Sequence, residues 1–170
     1  MIIETLDKEG RGLALRGLLD SGCSKTIVLK KFALNLNRNS KAVKYQTYGG
    51  TMTSNATSNV EMKLIEFSSS KTITFPCQVD ETTKPRHASY DIILGSDFLE
   101  ALGIDIKYSQ HCITWDGETI PLKAAGSLAD GDMRNAIYFA HTQSPLLQEV
   151  EERQQHILDA DYSKVNIDSM

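Results

Sequence analysis

Short runs of alternating hydrophobic and polar residues dominate the first 123 residues, and this alternation is typical of β-strands. In the clearest run, Val60, Met62 and Leu64 alternate with charged residues, as in a strand with one exposed face. The predicted strands are residues 2–6, 13–19, 26–29, 43–48, 60–67, 72–79 (interrupted at Pro76), 92–94, 104–108, 112–115 and 119–122. Many short strands predict an all-β barrel or sandwich.

One segment departs from the alternation and predicts a strand followed by a helix. Residues 92–94 are apolar at every position, which indicates a strand buried on both faces. After Gly95, the spacing of Asp97 and Glu100 matches a capping box at a helix start. Gly103 fits the end of that helix, which would have about two turns. The sequence thus predicts one short helix in an otherwise all-β domain.

Two polar stretches are predicted to lie outside the strands. Residues 30–39 are interpreted as a helical turn followed by an Asn-rich loop. Residues 48–59 are small and polar and contain Gly49 and Gly50, so they predict a mobile loop between two strands. Taken alone, this second stretch is a plain exposed hairpin loop.

The character of the chain changes after Lys123. Residues 124–132 are small and polar and read as a linker. Further on, Leu146, Leu147, Val150 and other apolar residues recur near helical spacing among charged residues, which predicts an amphipathic helix. We therefore predict a folded domain over residues 1–123 and a linker with a connector segment over residues 124–170.

Composition and charge narrow the function classes. The chain has 170 residues, 41% hydrophobic and 24% charged, with a net charge of −4, so nothing indicates a nucleic-acid surface. No apolar run has the length of a membrane span, and no basic signal-peptide region follows Met1. Three scattered cysteines favour free thiols in a reducing compartment, so we expect a cytoplasmic protein. Four histidines share no metal-ligand spacing, and no cofactor or metal is expected.

The candidate chemistry lies in residues 18–24, where two leucines lead into Asp20. The leucines indicate the end of a buried strand, and Gly22 indicates a turn that needs unusual backbone angles or close approach. This arrangement would present a carboxylate inside a core, which is costly unless the group is paired or has a chemical task. The alternative is an ordinary Asp-Ser-Gly turn on the surface.

Several stretches in the same order resemble the retropepsins, the aspartic proteases of retroviruses and retrotransposons. They are Leu-Leu-Asp-Ser-Gly at 18–22, Gly-Gly at 49–50, Tyr-Asp-Ile-Ile-Leu-Gly at 90–95, Leu-Gly-Ile-Asp-Ile at 102–106, Ile-Thr-Trp-Asp-Gly at 113–117 and Ile-Pro at 120–121. The chain most resembles the protease segment of gypsy-type retrotransposon polyproteins. The resemblance implies a single-lobed, closed β-barrel of the acid protease fold.

The resemblance also assigns roles to particular residues. Asp20 would be the catalytic residue. The residues implied to support its loop are Ser21, Gly22, Cys23 and Ser24; those implied to form a flap over bound peptide are Tyr48, Gly49, Gly50 and Thr51; those implied to back the active loop are Ile93, Leu94 and Gly95. Residues 124–170 would correspond to a connector that leads toward reverse transcriptase.

Aspartic proteolysis needs two carboxyl groups on one water molecule, and the pair holds one proton between them. The chain offers a single loop of this type and is too short for a two-lobed enzyme, so the resemblance implies a homodimer with Asp20 from each subunit. The implied substrate is a peptide or polyprotein, cleaved without a metal or a covalent intermediate. No nucleic-acid or membrane partner is expected for this segment.

Two departures from the family pattern leave alternatives open. Cys23 stands where the family usually has alanine, and its thiol could make activity sensitive to oxidation. Ser96 stands where many relatives have an arginine that braces the dimer. The alternatives are therefore a catalytically silent module for dimerisation or peptide binding, or a host protease of the same type.

Overall fold

The structure is a computed structural model that describes residues 1–47, 50–82, 90–124, 127–128 and 133. Its contacts divide the chain into two compact units, Met1–Ile137 and Tyr138–Met170, and the second unit lies wholly outside the described residues. The domain boundary after residue 123 and the connector helix therefore stay predictions.

The described residues form ten β-strands and one complete α-helix. They are β1 Ile2–Leu6, β2 Gly12–Leu19, β3 Ile27–Leu29, β4 Asn37–Thr47, β5 Gly50–Lys63, β6 Ile73–Asp80, β7 Ile92–Leu94, α1 Ser96–Leu102, β8 Asp105–Lys107, β9 Cys112–Trp115 and β10 Glu118–Pro121. Single 3-10 turns occur at Lys30–Phe32 and Tyr108–Gln110. None of the helices within these ranges has the length and apolar character that a membrane crossing requires.

Six strands close into a barrel. The strand order is β1-β2-β7-β3-β6-β5, and β5 returns to β1 through the pairing of Thr5 with Met62. Among the described strands, β4 pairs with β5 alone and lies outside this ring. The predicted all-β fold with a closed barrel and one short helix is confirmed.

Strand β7 lies between the two strands that enter and leave the Asp20 segment. It runs parallel to β2, with Leu19 opposite Leu94, and antiparallel to β3, with Ile27 opposite Ile93. All three residues of β7 are buried, as their continuous apolar sequence predicted. The turn between β2 and β3 is thereby placed directly over the carboxyl end of β7.

Helix α1 closes one side of the hydrophobic core with Phe98 and Leu99. It ends at Gly103, whose φ of 68° lies in the left-handed region that glycine adopts without strain. The predicted capping box is wrong: the N-cap is Gly95, and Asp97 lies in the first turn. The carboxylate of Asp97 accepts hydrogen bonds from Thr26 on another element as well as from Phe98 N–H in its own first turn.

Strands β8, β9 and β10 form a separate three-stranded antiparallel sheet. Between β9 and β10, Asp116 and Gly117 have φ angles of 53° and 83°, which confirms the tight hairpin expected from the Asp-Gly pair. The indole Nε1–H of Trp115 donates to the carbonyl of Leu102 at 3.1 Å. This contact fastens the small sheet to the end of α1.

The loop predicted over residues 48–59 is wrong for most of its length, because β5 begins at Gly50 and continues to Lys63. Residues 37–39, predicted as loop, likewise belong to β4. Along β5 the side chains of Met52, Ser54 and Ala56 are buried and alternate with less buried ones, so small residues form the inner face of a strand. Tyr48 and Gly49, which come between β4 and β5 in the chain, lie outside the described residues.

Two buried serines on β5, Ser54 and Ser58, differ in their hydrogen bonding, and the effect of this difference on stability can be measured. The Ser54 hydroxyl donates to the carbonyl of Val79 at 2.7 Å. In the described part of the chain the Ser58 hydroxyl, in a residue that is 1% exposed, has no hydrogen-bond partner. A buried hydroxyl without a partner costs free energy that an alanine at the same position would not.

We therefore expect Ser58→Ala to raise the free energy of unfolding by about 0.5–1 kcal/mol, measured by urea denaturation. The matched variant Ser54→Ala should lower it by about 1 kcal/mol, because it leaves the Val79 carbonyl unpaired. If Ser58→Ala and Ser54→Ala lowered the free energy of unfolding equally, the Ser58 hydroxyl would not be an unsatisfied group.

Candidate functional site

Asp20 is the first residue of a loop, residues 20–26, that joins β2 to β3 and is called here the Asp20 loop. The Asp20 N–H donates to the Leu94 carbonyl at 3.0 Å, which anchors the loop to the end of β7. The Asp20 carboxylate accepts the Gly22 N–H at 3.0 Å, and the Asp20 carbonyl accepts the Cys23 N–H at 3.1 Å. The carboxylate is therefore oriented by its own turn.

The exposure of Asp20 differs from the sequence-based expectation of a carboxylate inside the core. The residue is only partly buried, and the neighbouring Ser21 and Gly22 are exposed. Within the described residues no lysine, arginine or histidine forms an ion pair with Asp20. The carboxylate is thus half-buried where β2 ends beside the buried strand β7, and the described residues place no cation against it.

Gly22 lies close to the Asp20 carboxylate and does not adopt the backbone angles that favour glycine. Its φ is not among the positive values in the described residues. A Cβ at this position would lie 3.3 Å from the Asp20 Oδ1 atom, tighter than most contacts of real Cβ atoms. The sequence left open whether Gly22 serves unusual backbone angles or a close approach, and the structure supports the close approach.

The backbone of the Asp20 loop packs against Gly95. A Cβ at Gly95 would lie 2.6 Å from the backbone carbon and oxygen of Lys25 and 2.7 Å from the Cys23 oxygen. The next residue, Ser96, donates its N–H to the same Cys23 oxygen at 2.7 Å. The backbone of the loop therefore rests directly on the backbone at the start of α1, which only glycine permits.

Thr26 and Asp97 join the far end of the Asp20 loop to the first turn of α1. The Thr26 hydroxyl donates to Asp97 Oδ1 at 2.8 Å, and the Thr26 N–H donates to Oδ2 at 3.2 Å. The same hydroxyl accepts the Gly95 N–H at 3.1 Å. Sequence reasoning missed this pair, because the spacing of Asp97 to Glu100 indicated a helix cap and nothing local indicated a partner at Thr26.

A second missed pair fixes β2 beside β7. The Arg16 guanidinium contacts both carboxylate oxygens of Asp91, with Nε–Oδ2 at 3.1 Å and Nη2–Oδ1 at 3.2 Å. Backbone bonds support the pair, since Arg16 N–H donates to Asp91 Oδ2 at 2.9 Å and Asp91 N–H donates to the Arg16 carbonyl at 2.8 Å. This fork-like contact holds the two strands in register four residues before Asp20.

A small apolar group, separate from the barrel core, lies on the side of the Asp20 loop. Its members are Cys23, Ile27, Met52 and Ile93, with Leu18, Tyr45 and Tyr90 packed against them. We call it the loop-side cluster. Met52 and Tyr45 oppose each other on β5 and β4, so the inner side of this hairpin packs against the strands that flank the Asp20 loop.

The predicted flap residues are only partly within the described ranges. Tyr48 and Gly49 lie outside them, whereas Gly50 and Thr51 belong to the first part of β5, and Thr51 is exposed. The hairpin formed by β4 and β5 contributes Tyr45 and Met52 to the loop-side cluster. Its closure over a peptide stays a prediction.

Cys23 does not have the properties of a redox-sensitive thiol. The residue is 3% exposed, and its Sγ donates to the Lys25 carbonyl at 3.0 Å. Burial raises the pKa of the Cys23 thiol, and the charges of Asp20 and Asp97 raise this pKa further. The reactive thiolate is therefore scarce at neutral pH, which argues against the sensitivity to oxidation considered from the sequence.

The surface next to the Asp20 loop contains a shallow groove of about 390 Å³. Ser21 and Ser96 line the groove together with residues of α1 and β8. Ser96 is the position at which the family pattern would have an arginine. Ser24 is exposed on the same loop. Within the described ranges no group of three or more metal-binding side chains occurs.

No family model matches the chain. No curated protein matches it either. Among solved structures, the retroviral protease-like domain of Ddi1 from Leishmania major is similar, with 17% sequence identity and a TM-score of 0.48. The match covers 76% of this chain and 94% of that chain. The resemblance to the retropepsins, and within them to gypsy-type elements, stays a prediction.

Proposed function

We propose that this chain is an aspartic-type endopeptidase that acts as a homodimer. The observation that carries the proposal is the state of Asp20: a half-buried carboxylate where β2 ends beside the buried strand β7, oriented by the Gly22 N–H and without a counter-charge in the described residues. The contact of the Asp20 loop with Gly95 and its hydrogen bonds to Leu94 and Ser96 fix the place of this carboxylate.

In the proposed mechanism two Asp20 carboxyls lie about 3 Å apart and share one proton, because two like charges so close cannot both be ionised. The ionised carboxyl removes a proton from a water molecule, which attacks the peptide carbonyl. The protonated carboxyl stabilises the developing oxyanion, and a proton is then delivered to the amine that leaves. The protein forms no covalent bond with the substrate.

The second carboxyl would come from a second copy of the chain. The sequence contains one Asp-Ser-Gly, and the structure has one barrel with one such loop in the described residues. A two-fold axis beside Asp20 would bring two identical loops together, since a symmetric dimer uses the same surface twice. The exposed Ser21 and the groove beside it would lie at this axis.

The loop-side cluster supports a substrate that is an extended peptide with an apolar side chain near the cleaved bond. Ile27, Ile93 and Met52 are buried in this cluster, whereas Leu18, Tyr45 and Tyr90 at its border are only partly buried. These three side chains leave apolar surface close to the Asp20 loop. If the hairpin of β4 and β5 closed over the bound peptide, it would also exclude water from the reacting groups. In keeping with the resemblance, the proposed substrate is the polyprotein of a retrotransposon.

The test is the dependence of peptide cleavage on protein concentration. If the active species is a dimer, then below the dimer dissociation constant a tenfold dilution of the chain lowers the cleavage rate about 100-fold instead of tenfold. Analytical ultracentrifugation over the same concentrations should show monomers becoming dimers. Cleavage by a species that sediments as a monomer, at constant specific activity, would overturn the dimeric mechanism.

A further inference from the structure

The contacts between the Asp20 loop and the start of α1 converge on one side chain, the fully buried Thr26. Its hydroxyl has a single hydrogen, which is donated to Asp97, so an oxygen lone pair is left to accept the Gly95 N–H. The direction of this hydroxyl is therefore set by the carboxylate. Without Asp97 the hydroxyl could rotate, and the bond to Gly95 would no longer be enforced.

Asp97 is suited to this role because its carboxylate accepts three donors. They are the Thr26 hydroxyl, the Thr26 N–H and the Phe98 N–H, the last at 2.8 Å. Hydrogen bonds to an ionised acceptor are roughly twice as strong as neutral ones. The carboxylate thus joins the last residue of the Asp20 loop to the rigid first turn of a helix whose Phe98 is completely buried.

We propose that Thr26 and Asp97 are positioning residues that hold the Asp20 loop at a fixed place over β7. The inference rests on the proposed function, because fixed placement matters most when two copies of Asp20 must meet at an axis. Misplacement of a reacting group by about 1 Å can cost about 100-fold in rate. The pair acts through the backbone of residues 23–26 and not on the substrate itself.

The test uses the full chain with two pairs of variants. Thr26→Val keeps the shape of the side chain but removes both hydroxyl bonds, whereas Thr26→Ser keeps the hydroxyl. Asp97→Asn keeps one acceptor oxygen but turns an amide toward the Thr26 N–H, whereas Asp97→Ala removes all acceptors. Glu118→Gln, on an exposed residue of β10, is the control for loss of a carboxylate.

The first measurement is hydrogen exchange of backbone amides, which does not depend on activity. We expect Thr26→Val and Asp97→Ala to speed exchange at residues 23–26 and at Gly95 and Ser96 about tenfold or more, with smaller changes in β1. Thr26→Ser should stay close to the parent, and Asp97→Asn should fall between the parent and Asp97→Ala. Equal exchange in Thr26→Val and Thr26→Ser, or equal acceleration throughout the barrel, would overturn the proposal.

The second measurement is the kinetics on the fluorogenic peptide that the parent cleaves fastest in a random-sequence library. Thr26→Val should lower kcat about 10–100-fold with little change in KM, and Thr26→Ser should restore kcat. A loss confined to KM would contradict a positioning role. If the parent cleaves no peptide, the proposed function fails, while the exchange pattern still decides whether the two residues hold the loop.

Discussion

Asp20→Asn is expected to lower the rate of peptide cleavage by about 10²–10⁴-fold, the range typical of losing a positioned general acid or base. The substitution nearly preserves shape, and an asparagine oxygen can still accept the Gly22 N–H. An amide, however, cannot take a proton from water or share one with a partner carboxyl. The variant should therefore keep its fold and its dimer while losing cleavage, as judged by circular dichroism, sedimentation and the peptide assay.

A mixing experiment makes this prediction specific for a shared site. Excess Asp20→Asn chain, added to the parent, should capture parent subunits in mixed dimers that contain one carboxyl group, and activity should fall further than dilution alone explains. Glu118→Gln added in the same excess should not suppress activity. Full activity of Asp20→Asn itself would show that the carboxylate of Asp20 is not the reacting group.

The same experiment separates the protease from the silent-module alternative. If parent and Asp20→Asn are both folded dimers and neither cleaves any peptide in the library, the dimerisation or peptide-binding module becomes the better account. Ser96 bears on this choice, because it places no cation in the groove beside Ser21 where the family pattern has an arginine. A weak dimer would instead appear as activity that requires high protein concentration.

The elements predicted correctly from the sequence are those whose signals are local. The continuous apolar run of β7, the left-handed Gly103 and the Asp116–Gly117 turn each need only a few neighbouring residues to define them. The short apolar stretches of β1, β2 and β9 also predicted strands, although the alternation in β2 is weak and the burial of β1 and β9 does not alternate. The position of Asp20 between two strands follows from the same local signals.

The errors arose where tertiary partners decide the structure. Residues 50–59 were interpreted as loop because serine and threonine are common in loops, yet Ser54 is buried and bonded to Val79, which is 25 residues away. Asp97 was interpreted as a helix cap, yet its partner Thr26 lies 71 residues earlier. A polar residue bonded across the barrel has no signature in the sequence near it, so these contacts could not have been predicted from local patterns.

Gly95→Ala is expected to be the most damaging conservative substitution near the site. Its Cβ would meet three backbone atoms of Cys23 and Lys25 at 2.6–2.7 Å, and backbone atoms cannot turn aside as a flexible side chain can. We expect the free energy of unfolding to fall by about 3 kcal/mol, which is at the upper end of the usual cost of overpacking. For a chain of this size that loss corresponds to a decrease of roughly 6–12 °C in Tm.

Gly10→Ala is the matched control for Gly95→Ala. Gly10 has a φ of 77° with no atom within 4 Å of its Cβ position, so alanine there adds backbone strain of about 1–2 kcal/mol without a steric clash. Calorimetry should therefore rank Gly95→Ala below Gly10→Ala in stability. At a temperature where both variants are folded, Gly95→Ala should also lose peptide cleavage, because the Asp20 loop must move away from β7, whereas Gly10→Ala should keep it. If Gly95→Ala is as stable and as active as Gly10→Ala, the loop does not depend on its contact with Gly95.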